Sequence, residues 1–124
     1  MSKKVVFDIP YPKSKSVWSK RFGLNAYYEG KHWGERKNDA KYWHNLVWAE
    51  MDRQKVRKYP FENPVIITFW FNDNLDCSNH ASYAKLIEDG LKGFVIKDDR
   101  RRYVVGIEMY FHDEDCIRVC VREA

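Results

Sequence analysis

Apolar positions fall along this chain in two rhythms, one of period two and one of three to four, and these lay out its elements. Val5, Val6, Phe7 and Ile9 favour extended backbone, so Lys3 to Ile9 reads as a strand stopped by Pro10. Pro10 to Ser16 reads as a loop, and Asn25 to Lys31 as extended chain turning at Gly30. From Trp33 to about Gln54 the rhythm changes: Ala40, Trp43, Val47 and Met51 recur at three and four, the stripe of an amphipathic helix. Pro60 and Pro64 close the loop after it.

Val65 to Phe71 is β-branched or aromatic on both faces, which predicts a central strand covered on both sides. Asn72-Asp73-Asn74 breaks it. A second helix is expected from about Asn79 to Lys92, with Ala84, Ile87 and Leu91 as its apolar stripe. Asp76 or Ser78 can cap its start, and Gly93 ends it. Phe94-Val95-Ile96 is a short apolar segment. Tyr103 to Phe111 and Cys116 to Val121 alternate as two strands joined by the turn His112-Asp113-Glu114-Asp115. The order, roughly β-(β)-α-β-α-β-β, predicts one α+β domain over residues 1–124, with two helices packed on a small mixed β-sheet.

Composition narrows the class. The 124 residues are 44% hydrophobic, 16% aromatic and 32% charged, a balance that excludes a disordered tail or a collagen-like rod. No apolar run approaches a membrane span, and Met-Ser-Lys-Lys lacks the apolar stretch of a signal peptide. Three cysteines, Cys77, Cys116 and Cys120, form no Cys-x-x-Cys pair, and the odd count points to reduced thiols in a cytoplasm. Cys116 and Cys120 lie too far apart along one strand to bridge. The formal charge of +4 is compatible with a polyanionic partner.

Candidate chemistry concentrates between Leu75 and Arg102. On the second helix Lys85 and Asp89 share a face. Asp76 stands at its entrance, and Asp98-Asp99 follow the next apolar segment. A return loop that gathers Asp76, Asp89 and Asp99 creates repulsion that a cation relieves, and hard oxygen ligands select Mg²⁺ or Mn²⁺. The same residues also read as an N-cap (Asp76), a surface pair (Lys85 with Asp89) and a solvated turn (Asp98-Asp99).

The pattern Asp76-x-x-Asn79, then Lys85-Leu-Ile-Glu-Asp-Gly-Leu-Lys-Gly93, then a short apolar run and Asp98-Asp99, resembles RusA-type Holliday junction resolvases, especially phage-encoded relatives. Phe7-Asp8-Ile9-Pro10-Tyr11-Pro12-Lys13-Ser14 resembles the family's opening strand and Pro-rich loop, and Tyr28-x-Gly30 its next segment. The resemblance implies a homodimeric, Mg²⁺-dependent endonuclease that cuts four-way DNA junctions, in a bacterial or phage-infected cytoplasm. It gives Asp76, Lys85, Asp89 and Asp99 catalytic roles, and Asp76, Asp89, Asp98 and Asp99 metal-binding ones. One departure stands out. The family's Asp-x-Asp-Asn is here Asp76-Cys77-Ser78-Asn79, one carboxylate short. That keeps a second expectation open: a catalytically weakened module that binds branched or single-stranded DNA.

Lys13, Lys15, Lys20, Arg21 and Arg100, Arg101 and Arg102 fall near turns or the carboxylate loop and are expected to contact the DNA backbone. Trp18, Trp70 and Phe71 could stack on exposed bases or fill the core. His32, His44, His80 and His112 show no metal-binding spacing, and Cys77 has no Cys–His arrangement around it. The strands at Tyr103–Val121 and Lys3–Ile9 offer sheet edges for a two-fold contact.

Overall fold

A computed structural model describes residues 3–28 and 33–124. Gly30, Lys31 and His32 lie outside the described residues, so the expected turn at Gly30 does too. The elements are β1 (Lys4–Pro10), α1 (Lys15–Phe22), α2 (Leu24–Tyr28), α3 (Trp33–Arg53), β2 (Val65–Phe71), a 3₁₀ turn (Cys77–His80), α4 (Ala81–Leu91), β3 (Val104–Phe111) and β4 (Cys116–Glu123). This is a small α+β domain with a mixed sheet.

Two helices were expected beside the sheet, and two further short ones are present. The Pro-rich loop ends at Ser14, where α1 begins, and Trp18 and Phe22 of α1 are buried. Asn25 to Tyr28 is helical, not extended. Both helices are shorter than the window over which periodicity is readable, and their aromatic residues also favour strands. What holds α1 in place is tertiary packing. The Trp18 ring lies 4.7 Å from Trp43, and Phe22 makes edge contacts with Trp43 and Tyr83.

The four strands run in the order β1-β4-β2-β3. β4 is antiparallel to both β1 and β2, whereas β2 and β3 are parallel. A parallel pair needs a crossover, and the 3₁₀ turn and α4 supply it. Val65, Ile67, Phe69 and Phe71 of β2 are fully buried on the helix side. The other face of β2 is not covered by helices. Trp70 there is half-buried against Tyr110, and Thr68 bonds Glu108 at 2.7 Å. β2 is therefore interior to the sheet, as read, but its second face is covered only by neighbouring side chains.

α3 lies on α4 and β1 with Trp43, Val47 and Met51 fully buried. Gly90 lets the two helices approach: a Cβ there would meet Val47 at 3.1 Å. Trp48 Nε1 donates to the Gly90 carbonyl at 2.6 Å, tying the pair. At its end, the Gln54 side chain bonds both the N–H and the C=O of Asp8, closing the outer edge of β1. α4 places Tyr83, Leu86, Ile87 and Leu91 inward. Its remaining face carries Lys85, Glu88, Asp89 and, just past its end, Lys92. No described helix is long and apolar enough to cross a membrane.

Candidate functional site

Gly93 adopts a φ of +80°, the left-handed region that costs glycine least, and turns the chain back after α4. Phe94, Val95 and Ile96 bury themselves in the core, and Gly93 N–H bonds the Ile96 carbonyl at 2.8 Å. This return delivers Asp98 and Asp99 to the exposed face of α4. Asp98 Oδ1 accepts the Asp99 N–H at 2.8 Å, which fixes the turn.

The Asp99 carboxylate lies 2.7 Å from Lys85 Nζ and 3.2 Å from Lys92 Nζ. Asp89 lies 3.3 Å from Lys85 and 3.2 Å from Lys92. Two lysines thus bridge two carboxylates ten positions apart in sequence. Asp98 joins from the rim, 2.9 Å from Arg100 and 3.9 Å from Lys92. Glu88 stands 3.8 Å from Lys85. The charges shape one another. The Lys85 hydrogen bond, with lesser help from Lys92, holds the Asp99 carboxyl well below the usual range. Asp99, then Asp89, hold the Lys85 ammonium well above its usual value against partial desolvation. Burial pushes Glu88 up, and the charges of Asp99 and Asp89 add to that. Lys85 and Asp89 also border a cleft of about 390 Å³ between α2, α3 and α4, with Leu24, Ala40 and Leu86 among its lining.

Asp89, Asp98, Asp99 and Lys85 therefore come together as expected from the sequence. Asp76 stands apart. It is exposed at the start of the 3₁₀ turn, where its carbonyl accepts the Asn79 N–H and its side chain makes no capping bond. The turn and two turns of α4 separate it from Asp89, roughly 20 Å at about 2.0 and 1.5 Å per residue. Among the described residues no group of three or more His, Cys, Asp or Glu is arranged to hold a metal ion. The lysine ammonium groups sit between the carboxylates, where a cation would be held.

Lys92 was absent from the expected set. Its signal was present, since it follows Asp89 by three residues and Lys85 by seven, on the same face. A second group was also unread. His80 is fully buried, stacked 3.9 Å from the Phe71 ring, with Nε2 2.7 Å from Asp73 Oδ1. Its Nδ1 lies 3.0 Å from the Cys77 carbonyl. Tyr11 donates to Asp73 Oδ2 at 3.2 Å and accepts the Asn72 N–H at 2.8 Å. Burial raises the Asp73 carboxyl, but bonds from His80, the Leu75 N–H and Tyr11 outweigh it, and the net shift is downward. Cys77, read as a small packing residue, is half-buried with Sγ donating to the Met109 carbonyl at 3.3 Å. The three thiols are free.

The expected DNA-contacting cations divide. Lys15 is 2.8 Å from Asp115 and donates to the Asn72 carbonyl, and Arg21 pairs with buried Asp39 at 3.1 Å. Arg100 pairs with Asp98 and lies over the Tyr103 ring, as does Arg102. Lys13, Lys20, Arg101 and Arg102 are exposed. Trp18 and Phe71 are buried and unavailable to a base. Comparison of the chain with protein-family models, with curated proteins and with solved structures returns no match.

Proposed function

We propose that this protein is a Mg²⁺-dependent, structure-selective DNA endonuclease acting on four-way junctions, as a homodimer. One observation carries the reading: Asp89 and Asp99 meet around Lys85 although sequence separates them. Their oxygens, with Asp98, are the donor type that Mg²⁺ or Mn²⁺ prefers, and an ion would displace Lys92 and share Asp89 and Asp99 with Lys85. Lys92 is long and partly solvated, so its withdrawal costs little. A bound ion would polarise the scissile phosphate and acidify the attacking water.

The residues of the chain do the rest. Lys85 stays protonated through neutral pH because Asp99 and Asp89 raise it, so it serves as a fixed positive charge beside the phosphate, not as a base. Arg101 and Arg102, next to the acidic turn, are placed to neutralise backbone phosphates. Two nicks related by the junction's two-fold symmetry call for two copies of this site.

The lysine-filled carboxylate cluster and the separation of Asp76 favour a second reading, a module that binds branched or single-stranded DNA without cutting it. Labelled four-way junction, linear duplex and flap, each incubated with Mg²⁺ or EDTA, separate the two. Mg²⁺-dependent paired nicks on the junction support the nuclease. Retention of junction without cleavage in Mg²⁺ and in Mn²⁺ supports the module.

A further inference from the structure

The exposed turn after α3 gathers cations around aromatic rings at a place remote in sequence from the acidic cluster. Arg57 lies 5.1 Å and Lys3 5.7 Å from the centroid of Tyr59, whose ring is half exposed. Lys58 lies 4.5 Å over Trp48. Lys55 completes the turn. It holds a φ of 62°, the left-handed region where glycine is the ordinary occupant. Its N–H bonds the Asp52 carbonyl at 3.0 Å, and the Val56 N–H bonds the Met51 carbonyl at 2.8 Å, the double closure of a helix C-terminus. A lysine thus stands where a glycine is conformationally cheaper. Nearby Glu62 is taken by Lys97, and Glu50 by Arg53.

We propose that Lys3, Lys55, Arg57, Lys58 and Tyr59 form a binding site for single-stranded nucleic acid. Clustered cations match a chain of phosphates, and an exposed ring held among them matches an unstacked base. A membrane surface would need an apolar flank, and Tyr59 is the one exposed large hydrophobic residue of this turn. The site agrees with the nuclease reading but stands on its own chemistry, and binding measured in EDTA tests it whether or not the protein cuts.

The probe is a fluorescein-labelled oligothymidine strand, followed by anisotropy across a salt series in EDTA. Arg57→Ala with Lys58→Ala should flatten the slope of log affinity against log salt by about 1.4, at ~0.7 per phosphate lost. Tyr59→Ala should weaken binding roughly tenfold with the slope unchanged, and Tyr59→Phe should restore it. Arg53→Ala, which removes a cation already paired with Glu50, should change neither. Circular dichroism establishes that each variant folds; these side chains are exposed. Wild-type protein that ignores the strand at low salt, or variants that keep its affinity and slope, would overturn the site. Binding to anionic phospholipid vesicles in place of the strand would overturn it in favour of a membrane surface.

Discussion

Two carboxylates, Asp73 and Asp99, are both held below the usual range, and by opposite means. Asp73 is buried, and a histidine, a tyrosine and a backbone N–H satisfy it. Asp99 is near the surface, and two lysines satisfy it. The first arrangement joins the end of β2, the Pro-rich loop and the 3₁₀ turn around the fully buried His80. The second joins α4 to a loop, and each of its partners can turn to solvent. Burial makes a charge structural; partial exposure leaves it available for exchange with another cation.

That contrast predicts its own largest effect. Asp73→Ala strips the buried His80 and the half-buried Tyr11 of their shared partner. It should destabilise the fold by about 2–6 kcal/mol, at roughly 1–3 kcal/mol for each of the two groups left without an acceptor. Denaturant unfolding measures it. A loss under 1 kcal/mol would mean the network is ornamental and the contrast false.

Asp99→Asn should do the reverse. Stability changes by no more than about 1 kcal/mol, as for an exposed ion pair. If the nuclease reading is right, junction cleavage falls by about 10²-fold or more, because the group that would hold the ion is neutralised. Junction binding in EDTA stays, since removing an anion does not repel DNA. Native-rate cleavage by this variant in saturating Mg²⁺ would remove Asp99 from the chemistry and turn attention to Asp98.

Acid should separate the two sites as well. Both carboxyls are held below the ordinary carboxylate range, so each contributes stability that is present above about pH 4 and lost as pH falls through its lowered value. Glu88 runs the other way. Burial raises it, so it disfavours the fold above its raised value and relaxes on acidification. Net stability should therefore fall below about pH 4. Asp99→Asn should remove the part of that fall that its lysine pairs supply and leave in place the part that Asp73 carries. An acid transition abolished by Asp99→Asn would invert the assignment.

How far these sites were legible in the sequence follows from their range of interaction. The long helix α3, strand β2 and the strands of the C-terminal half announce themselves by local rhythm. Lys85 and Asp89 are one turn apart on one helix, and the return of Asp98-Asp99 needs only a helix, a glycine and a buried tripeptide. Lys92 sits on the same stripe. The pairing of Tyr11 with Asp73 spans 62 positions, and nothing local signals it. The helix α1 was hidden because its stability comes from Trp18 and Phe22 meeting Trp43 and Tyr83 across the core, not from its own pattern. Asp76 was placed with the cluster by assuming that the return loop reaches the entrance of α4, whereas Asp99 meets Lys85 and Lys92 farther along it.

The smallest expected effect tests whether the lysines compete with a metal. Lys92 Nζ lies 3.2 Å from both Asp89 and Asp99, so it screens the two carboxylates from each other. Lys92→Met keeps the aliphatic stem and removes the charge. Stability should move by about 0.5 kcal/mol or less, because the pairs are partly solvated and Lys85 still bridges the carboxylates. An ion then no longer displaces that ammonium group, so Mn²⁺ should bind tighter; removing a competing pair worth about 0.5 kcal/mol gives roughly twofold. Electron paramagnetic resonance of free Mn²⁺ measures this without any need for DNA or activity. Lys85→Met serves as the companion, and should tighten Mn²⁺ as well; if the nuclease reading is right, it also removes the fixed charge that cleavage would use. If neither variant binds Mn²⁺ more tightly than the native chain, the lysines are not standing in for a cation. The cluster is then a surface ion-pair network, the same kind of structural device as Asp73 on a weaker scale, and the difference between the two regions is one of degree.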